Sequence, residues 1–160
     1  TPTPQGKFYI NEVIPDPTSV DWNADGEYNT RDQWIEIRNG FATPVAFGNY
    51  KLAITSDKTY TMTIPTGVTI GGQGYLVLWP YLQMGATISS TSAITLYTPS
   101  NVVMDSVTLP GATPDGSYQR RPDGTGAFAW WTWPSFGRTN MASTPTPTRT
   151  ATPTRTATPE

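Results

Sequence analysis

The chain predicts an all-β fold, an antiparallel sandwich of seven to nine short strands. Three observations carry that prediction. Apolar residues recur at every second position, as in Trp34-Ile35-Glu36-Ile37-Arg38, so that one face of a strand is buried and the other is not. Turn-forming clusters such as Asn39-Gly40, Pro65-Thr66-Gly67 and Pro110-Gly111 punctuate the chain at the spacing of a sandwich, about ten residues. No stretch long enough for a globular helix shows helical periodicity free of Gly and Pro.

Taken in order, the expected strands are Phe8 to Val13, Gln33 to Asn39, Val45 to Ser56 and Thr59 to Ile64, then Gly74 to Trp79, Ala93 to Thr98, Val102 to Leu109 and Ser117 to Arg121. In the second, Ile35 and Ile37 turn inward while Glu36 and Arg38 are expected to face solvent. In the glycine-bounded fifth, Leu76 and Leu78 share a face and Val77 takes the other. Gly71-Gly72-Gln73-Gly74 lacks a lysine and precedes a strand, so it reads as a hairpin turn and not a phosphate loop.

The ends differ from the middle. From Ser143 the sequence is almost entirely Thr, Pro, Ala and Arg, with Thr-Pro-Thr-Arg-Thr-Ala twice in succession. Such a segment has no large apolar side chains to offset its ordering entropy. Residues 143–160 are therefore expected to be a disordered linker of stalk-like composition, and residues 1–5 the end of a similar one. The folded unit is expected at 6–142, cut from a longer chain that lies outside the cell or on its surface and acts as a monomer within it. That length supports a hydrophobic core without disulfides, and the chain has no cysteine. No apolar run is long enough to cross a membrane.

Between residues 6 and 142, eight basic side chains meet eleven acidic ones. A domain that binds nucleic acid by neutralising phosphates needs a basic face, so that partner is disfavoured. Histidine and cysteine are both absent, which removes the commonest general base and the thiol nucleophile. Paired carboxylates remain as a chemical possibility. The acidic residues, however, cluster in one loop and are otherwise scattered singly along strand edges and turns. The domain is expected to be non-enzymatic.

That loop is Asp21-Trp22-Asn23-Ala24-Asp25-Gly26-Glu27-Tyr28-Asn29-Thr30-Arg31-Asp32. Oxygen donors stand at places one, three and five, glycine at six and a carboxylate at twelve, which is the ligand rhythm of a calcium loop. Asp21, Asn23, Asp25 and Asp32 would offer side chains and Glu27 its carbonyl. Hard oxygen donors favour calcium over softer-ligand metals. Pro15 and Pro17 upstream and the strand downstream exclude flanking helices, so this is a calcium-type loop between strands. The same residues also build ordinary long connections, because Asp, Asn and Gly accept left-handed backbone.

Two smaller features carry rival readings. Trp131 and Trp133, in the cluster Trp130-Trp131-Thr132-Trp133, would suit stacking on a polysaccharide if exposed, although Trp130 and Trp131 take opposite faces of a strand. Arg120-Arg121-Pro122-Asp123-Gly124 would suit a small anion, or serve only as packing and ion-pair residues around a turn.

Six segments in order also resemble one family. They are Ile10-Asn11-Glu12-Val13, Trp34 to Asn39, Pro44 to Leu52, Gly71 to Leu78, Ser117 to Gly124, and Pro134-Ser135-Phe136-Gly137-Arg138-Thr139-Asn140. Over residues 8–140 this order resembles the lamin tail domain of bacterial and archaeal surface proteins. Tyr50 stands where the family usually has Trp, and Phe136 replaces the Pro of its closing Pro-Gly pair. The resemblance implies an immunoglobulin-like β-sandwich and a non-catalytic interaction or spacer module with a protein or polysaccharide partner. Animal relatives bind proteins and DNA in the nuclear lamina, a role that would need a basic surface.

Overall fold

The structure, a computed structural model, describes residues 7–140. The segments expected as linkers, 1–5 and 143–160, lie outside the described residues. Regular structure is nearly all β: β1 (Phe8–Ile14), β2 (Trp34–Asn39), β3 (Val45–Ala46), β4 (Lys51–Thr55), β5 (Thr59–Thr63), β6 (Thr69–Ile70) and β7 (Tyr75–Leu78). A short helix α1 (Pro80–Met84) follows, then β8 (Ala93–Tyr97), β9 (Val103–Thr108), β10 (Ser117–Arg121) and β11 (Ala127–Trp131). The strands pair antiparallel in a five-stranded sheet ordered β11-β10-β1-β2-β7 and a four-stranded sheet ordered β5-β4-β8-β9; β3 and β6 make a ribbon of their own. This is an immunoglobulin-like β-sandwich.

Alternation builds its interior. Phe8, Ile10, Val13, Ile35, Ile37 and Leu78 come from one sheet, and Leu52, Ile54, Ile94, Leu96 and Val107 from the other. Phe8 meets Phe47 at 4.5 Å between ring centroids and Tyr50 at 5.1 Å. Burying each such side chain stabilises the fold by about 1.5–3 kcal/mol.

Eleven strands are found where seven to nine are expected, and the reasons are local. The run Val45 to Ser56 breaks in two because Asn49 takes a left-handed backbone, φ 68°. Thr69–Ile70 pairs only with Val45–Ala46, too briefly to show as a pattern. Trp79 leaves the strand to cap α1, with Pro80 at the first helical position and Gly85 closing the helix at φ 66°.

One irregularity decides what faces outward. Register between β1 and β2 runs Ile10↔Ile37 and then Glu12↔Glu36, so Asn11 is an extra residue in a bulge. The bulge returns Val13 to the core and sends Glu12 and Ile14 to the outer face. Near it, Ile10 donates its amide to Asp105 Oδ2 at 2.9 Å, and its carbonyl accepts Arg120 Nε at 3.0 Å. Arg120 also reaches Asp105 Oδ1 at 3.0 Å and Gly126 O at 2.9 Å. An ion pair between buried Asp105 and half-buried Arg120 therefore joins β10 to β9 of the opposite sheet.

Glu36 and Arg38 do not face solvent as their alternation predicts. Glu36 is 0% exposed and Arg38 is half-buried. The outer face of the five-stranded sheet is covered by the segment 132–140 returning across it.

Candidate functional site

Three places hold the chemistry-bearing residues: the loop 21–32, the covered face of the five-stranded sheet, and the aromatic and arginine residues of β10 and β11.

The loop closes on its own amides. Asp21 accepts Asp25 N at 3.1 Å and Gly26 N at 2.8 Å, and Asn23 Oδ1 accepts Asp25 N at 2.9 Å. Asp25 Oδ1 takes Glu27 N at 3.0 Å. Gly26 at the sixth place has φ 89°, the backbone that glycine accepts most readily. Asp32 at the twelfth place is fully buried and holds two distant parts of the loop, Asn23 N and Asn29 N, both at 3.0 Å. Glu27 is exposed. Among the described residues no three acidic side chains converge as metal ligands. The donors thus suit calcium by type and spacing, while their oxygens here serve backbone N–H groups. The stretch leading into the loop is fixed from another quarter, by Asp115. Burial works against the ionisation of Asp115, but the amides and hydroxyls of Thr18 and Ser19, at 2.7–2.9 Å, outweigh it and bring its pKa down to about 2.

The covered sheet face carries what the sequence did not disclose. Glu12 and Glu36 sit directly opposite one another on β1 and β2. Asp123, in the β10–β11 turn, joins them through Asn11, whose Nδ2 donates to Glu36 Oε1 at 2.8 Å and to Asp123 Oδ1 at 3.1 Å. The returning segment crosses the strands in steps of two residues. Trp133 O lies 3.3 Å from Gln119 Nε2 on β10. Ser135 N donates to Glu12 Oε1 at 3.0 Å on β1, and Gly137 N to Glu36 Oε2 at 2.6 Å on β2. Asn140 N then donates to Asp123 Oδ1 at 3.0 Å, and its side chain to Arg120 O at 2.9 Å and Asn11 O at 3.2 Å. Three backbone amides of one segment are thereby held by three carboxylates from three parts of the fold.

Electrostatics follow from that placement. Burial, with the neighbouring Glu12 and Asp123 charges, pushes Glu36 up to about 8 against the hydrogen bonds from Asn11 and Gly137. Burial also raises Glu12, opposed by Ser117, Ser135 and Arg121. Ser135 Oγ lies against both Glu12 Oε2 and Asn140 Oδ1, and its single proton serves only one of them. Tyr75 OH donates to Asp123 Oδ2 at 2.6 Å, and Arg38 Nε stands 3.9 Å from the same oxygen.

Phe136 anchors the segment hydrophobically. Its ring stacks on Trp22 of the loop at 5.4 Å, meets the buried Trp34 edge-on at 5.4 Å and leans on Trp79 at 5.8 Å. The position where Phe replaces Pro is thus an aromatic plug joining segment, loop and sheet.

The family model of the lamin tail domain matches residues 1–111, more than half of the chain. The chain belongs to the lamin tail domain family. No curated protein matches it. The matched residues of this lamin tail domain run from β1 through β9; β10, β11 and the covering segment lie beyond them. The family is an immunoglobulin-like module, typically non-catalytic, which suits an interaction or spacer role.

The remaining predicted residues do not form one site. Arg120 is fully engaged with Asp105, Ile10 O and Gly126 O. Arg121 lies over the Trp131 ring at 3.5 Å and donates from Nε to Gln119 Oε1 at 3.0 Å. That leaves Trp131 half-buried with one face taken, while Trp133 is 77% exposed. Trp130, on the opposite face of β11 from Trp131, leans on Tyr118 at 5.1 Å with its ring tilted by 40°. Sequence reasoning missed Glu12, Glu36 and Asp123 as a group. The available signal was a carboxylate beside apolar residues in each central strand, Glu12-Val13-Ile14 and Ile35-Glu36-Ile37.

Proposed function

We propose that this lamin tail domain is a non-catalytic interaction or spacer module of a larger secreted or cell-surface protein. A pair of carboxylates with raised pKa values is what a search for an active site would single out. Glu12 and Glu36 are both 0% exposed, and their oxygens are met by Ser135 N and Gly137 N of the chain itself. That single observation carries the reading, because the positions a substrate would take are filled by protein. The Thr/Pro-rich sequence from Ser143 onward supports a stalk-borne, extracellular setting. The outer face of the four-stranded sheet offers a partner protein or polysaccharide a shallow trough with Lys51, Thr55, Thr61, Tyr97 and Asn101 around it.

Chromogenic glycosides, esters and phosphodiesters should show no turnover with the wild-type chain above that with a Glu12→Gln/Glu36→Gln double variant. Turnover that the double variant loses would overturn the non-catalytic reading.

Calcium at Asp21–Asp32 belongs to the same proposal, as a structural ion. It would relieve repulsion among Asp21, Asp25, Glu27 and Asp32 and stiffen the loop against Trp22 and Phe136. A melt in calcium should lie several degrees above one in chelator, with magnesium as control, since an ion bound only to the native state raises its stability. Asp21→Ala should erase the shift, and superimposable wild-type curves would remove calcium from the account.

A further inference from the structure

We propose that the segment 132–140 is a strap that the three carboxylates beneath it hold shut in acid and release in alkali, uncovering the outer face of the five-stranded sheet. The geometry carries this. Ser135, Gly137 and Asn140 each donate one backbone amide to a different carboxylate, Glu12, Glu36 and Asp123. Beyond these the segment's hold on the sheet is Phe136 among the tryptophans, the side chains of Ser135, Thr139 and Asn140, and Trp133 O. Trp133, Phe136, Gly137, Arg138 and Thr139 are all exposed, so the strap lies on the surface and its departure leaves both core faces intact.

The charges beneath it do not balance at every pH. Facing Glu36 are Glu12 from β1 and Asp123 from the β10–β11 turn, with Arg38 on β2 and Tyr75 on β7 against Asp123 and Arg121 of β10 beside Glu12. With Glu36 protonated, two carboxylates face two guanidiniums. Ionising Glu36 places a third negative charge under the strap, directly opposite Glu12, where like charges repel. Burial and those two neighbours are what push Glu36 up to about 8, and an open strap would return water to it. The closed form therefore binds this proton more tightly than the open one. Closure is strongest below the ordinary carboxylate value of 4.5, weakens as the pH rises toward about 8 and changes no further above it.

Trypsin reads the opening, because Arg138 lies within the strap and cleavage there requires local release. The full chain is digested across the range from about pH 6 to pH 9, and cleavage after Arg138 is normalised to an unstructured arginine peptide at each pH. The normalised rate should climb about tenfold per pH unit up to about pH 8 and then level off, while Glu36→Gln, which mimics the protonated acid, should stay within about twofold throughout. A flat wild-type profile overturns the proposal, as does a Glu36→Gln profile that climbs like the wild type. Should Glu36→Gln fail to melt cooperatively, Glu12→Gln replaces it. Removing that charge must bring the plateau to lower pH, and an unmoved plateau would equally overturn the mechanism.

Discussion

Asp105→Ala is expected to cost the fold about 3–5 kcal/mol. Asp105 is 8% exposed and does two jobs. It accepts the Ile10 amide near the β1 bulge, and it pairs with both oxygens against Arg120 NH2, at 3.0 and 3.2 Å. Truncating it leaves a half-buried guanidinium without its anion and a buried N–H without an acceptor, and each is costly alone. Lys7 stands 3.6 Å from Asp105 but is 38% exposed, so water replaces that partner easily. Asp105→Asn should fall between, keeping an acceptor for Ile10 while losing the charge. Urea unfolding measures the difference, and a loss below about 1 kcal/mol for Asp105→Ala would mean the two sheets are not joined through this pair.

Glu36→Gln is expected to act in the opposite direction, and only in alkali. A carboxyl pushed up to about 8 binds its proton more tightly in the folded chain than in the unfolded one, whose value is near 4.5. Its contribution to stability is therefore fully present below pH 4.5, lost as the pH rises toward 8, and gone above it. The interval corresponds to a loss on the order of 5 kcal/mol at most. Glutamine carries no charge to bury. The variant should resemble wild type at about pH 4 and exceed it by a few kcal/mol at about pH 9, as denaturant unfolding at the two pH values would show. Asp115 has the reverse sign, since its depressed value makes its contribution present at neutral pH and lost only as the pH falls toward about 2.

How much of this was legible in the sequence depended on periodicity. Strands such as Trp34–Asn39 and Ala93–Tyr97 announce themselves because alternate residues are apolar, and the inward faces of Ile35, Ile37, Leu76 and Leu78 follow. Alternation states which side chains share a face but not what lies over that face. Glu36 and Arg38 therefore read as solvated, although 132–140 covers Glu36 and Asp123 and Tyr75 engage Arg38: the covering segment has no period, and its grip comes from backbone amides that no side-chain pattern reveals. The Asn11 bulge was hidden for a related reason, since one extra residue between Ile10 and Val13 exchanges the faces of Glu12 and Val13 without leaving a mark in composition. The donor spacing of Asp21–Asp32 was plain to read, yet the Asx turns that close the loop use the same residues.

The sealed carboxylate face is the centre of the account, and the side-chain carboxyl titration of Glu36 by carbon NMR tests it most directly. A midpoint near 8, with Glu12 also displaced above its ordinary value, is the result expected of two carboxylates facing one another beneath the 132–140 segment. A midpoint near 4.5 would mean that water reaches Glu36, and the covered sheet would have to be given up.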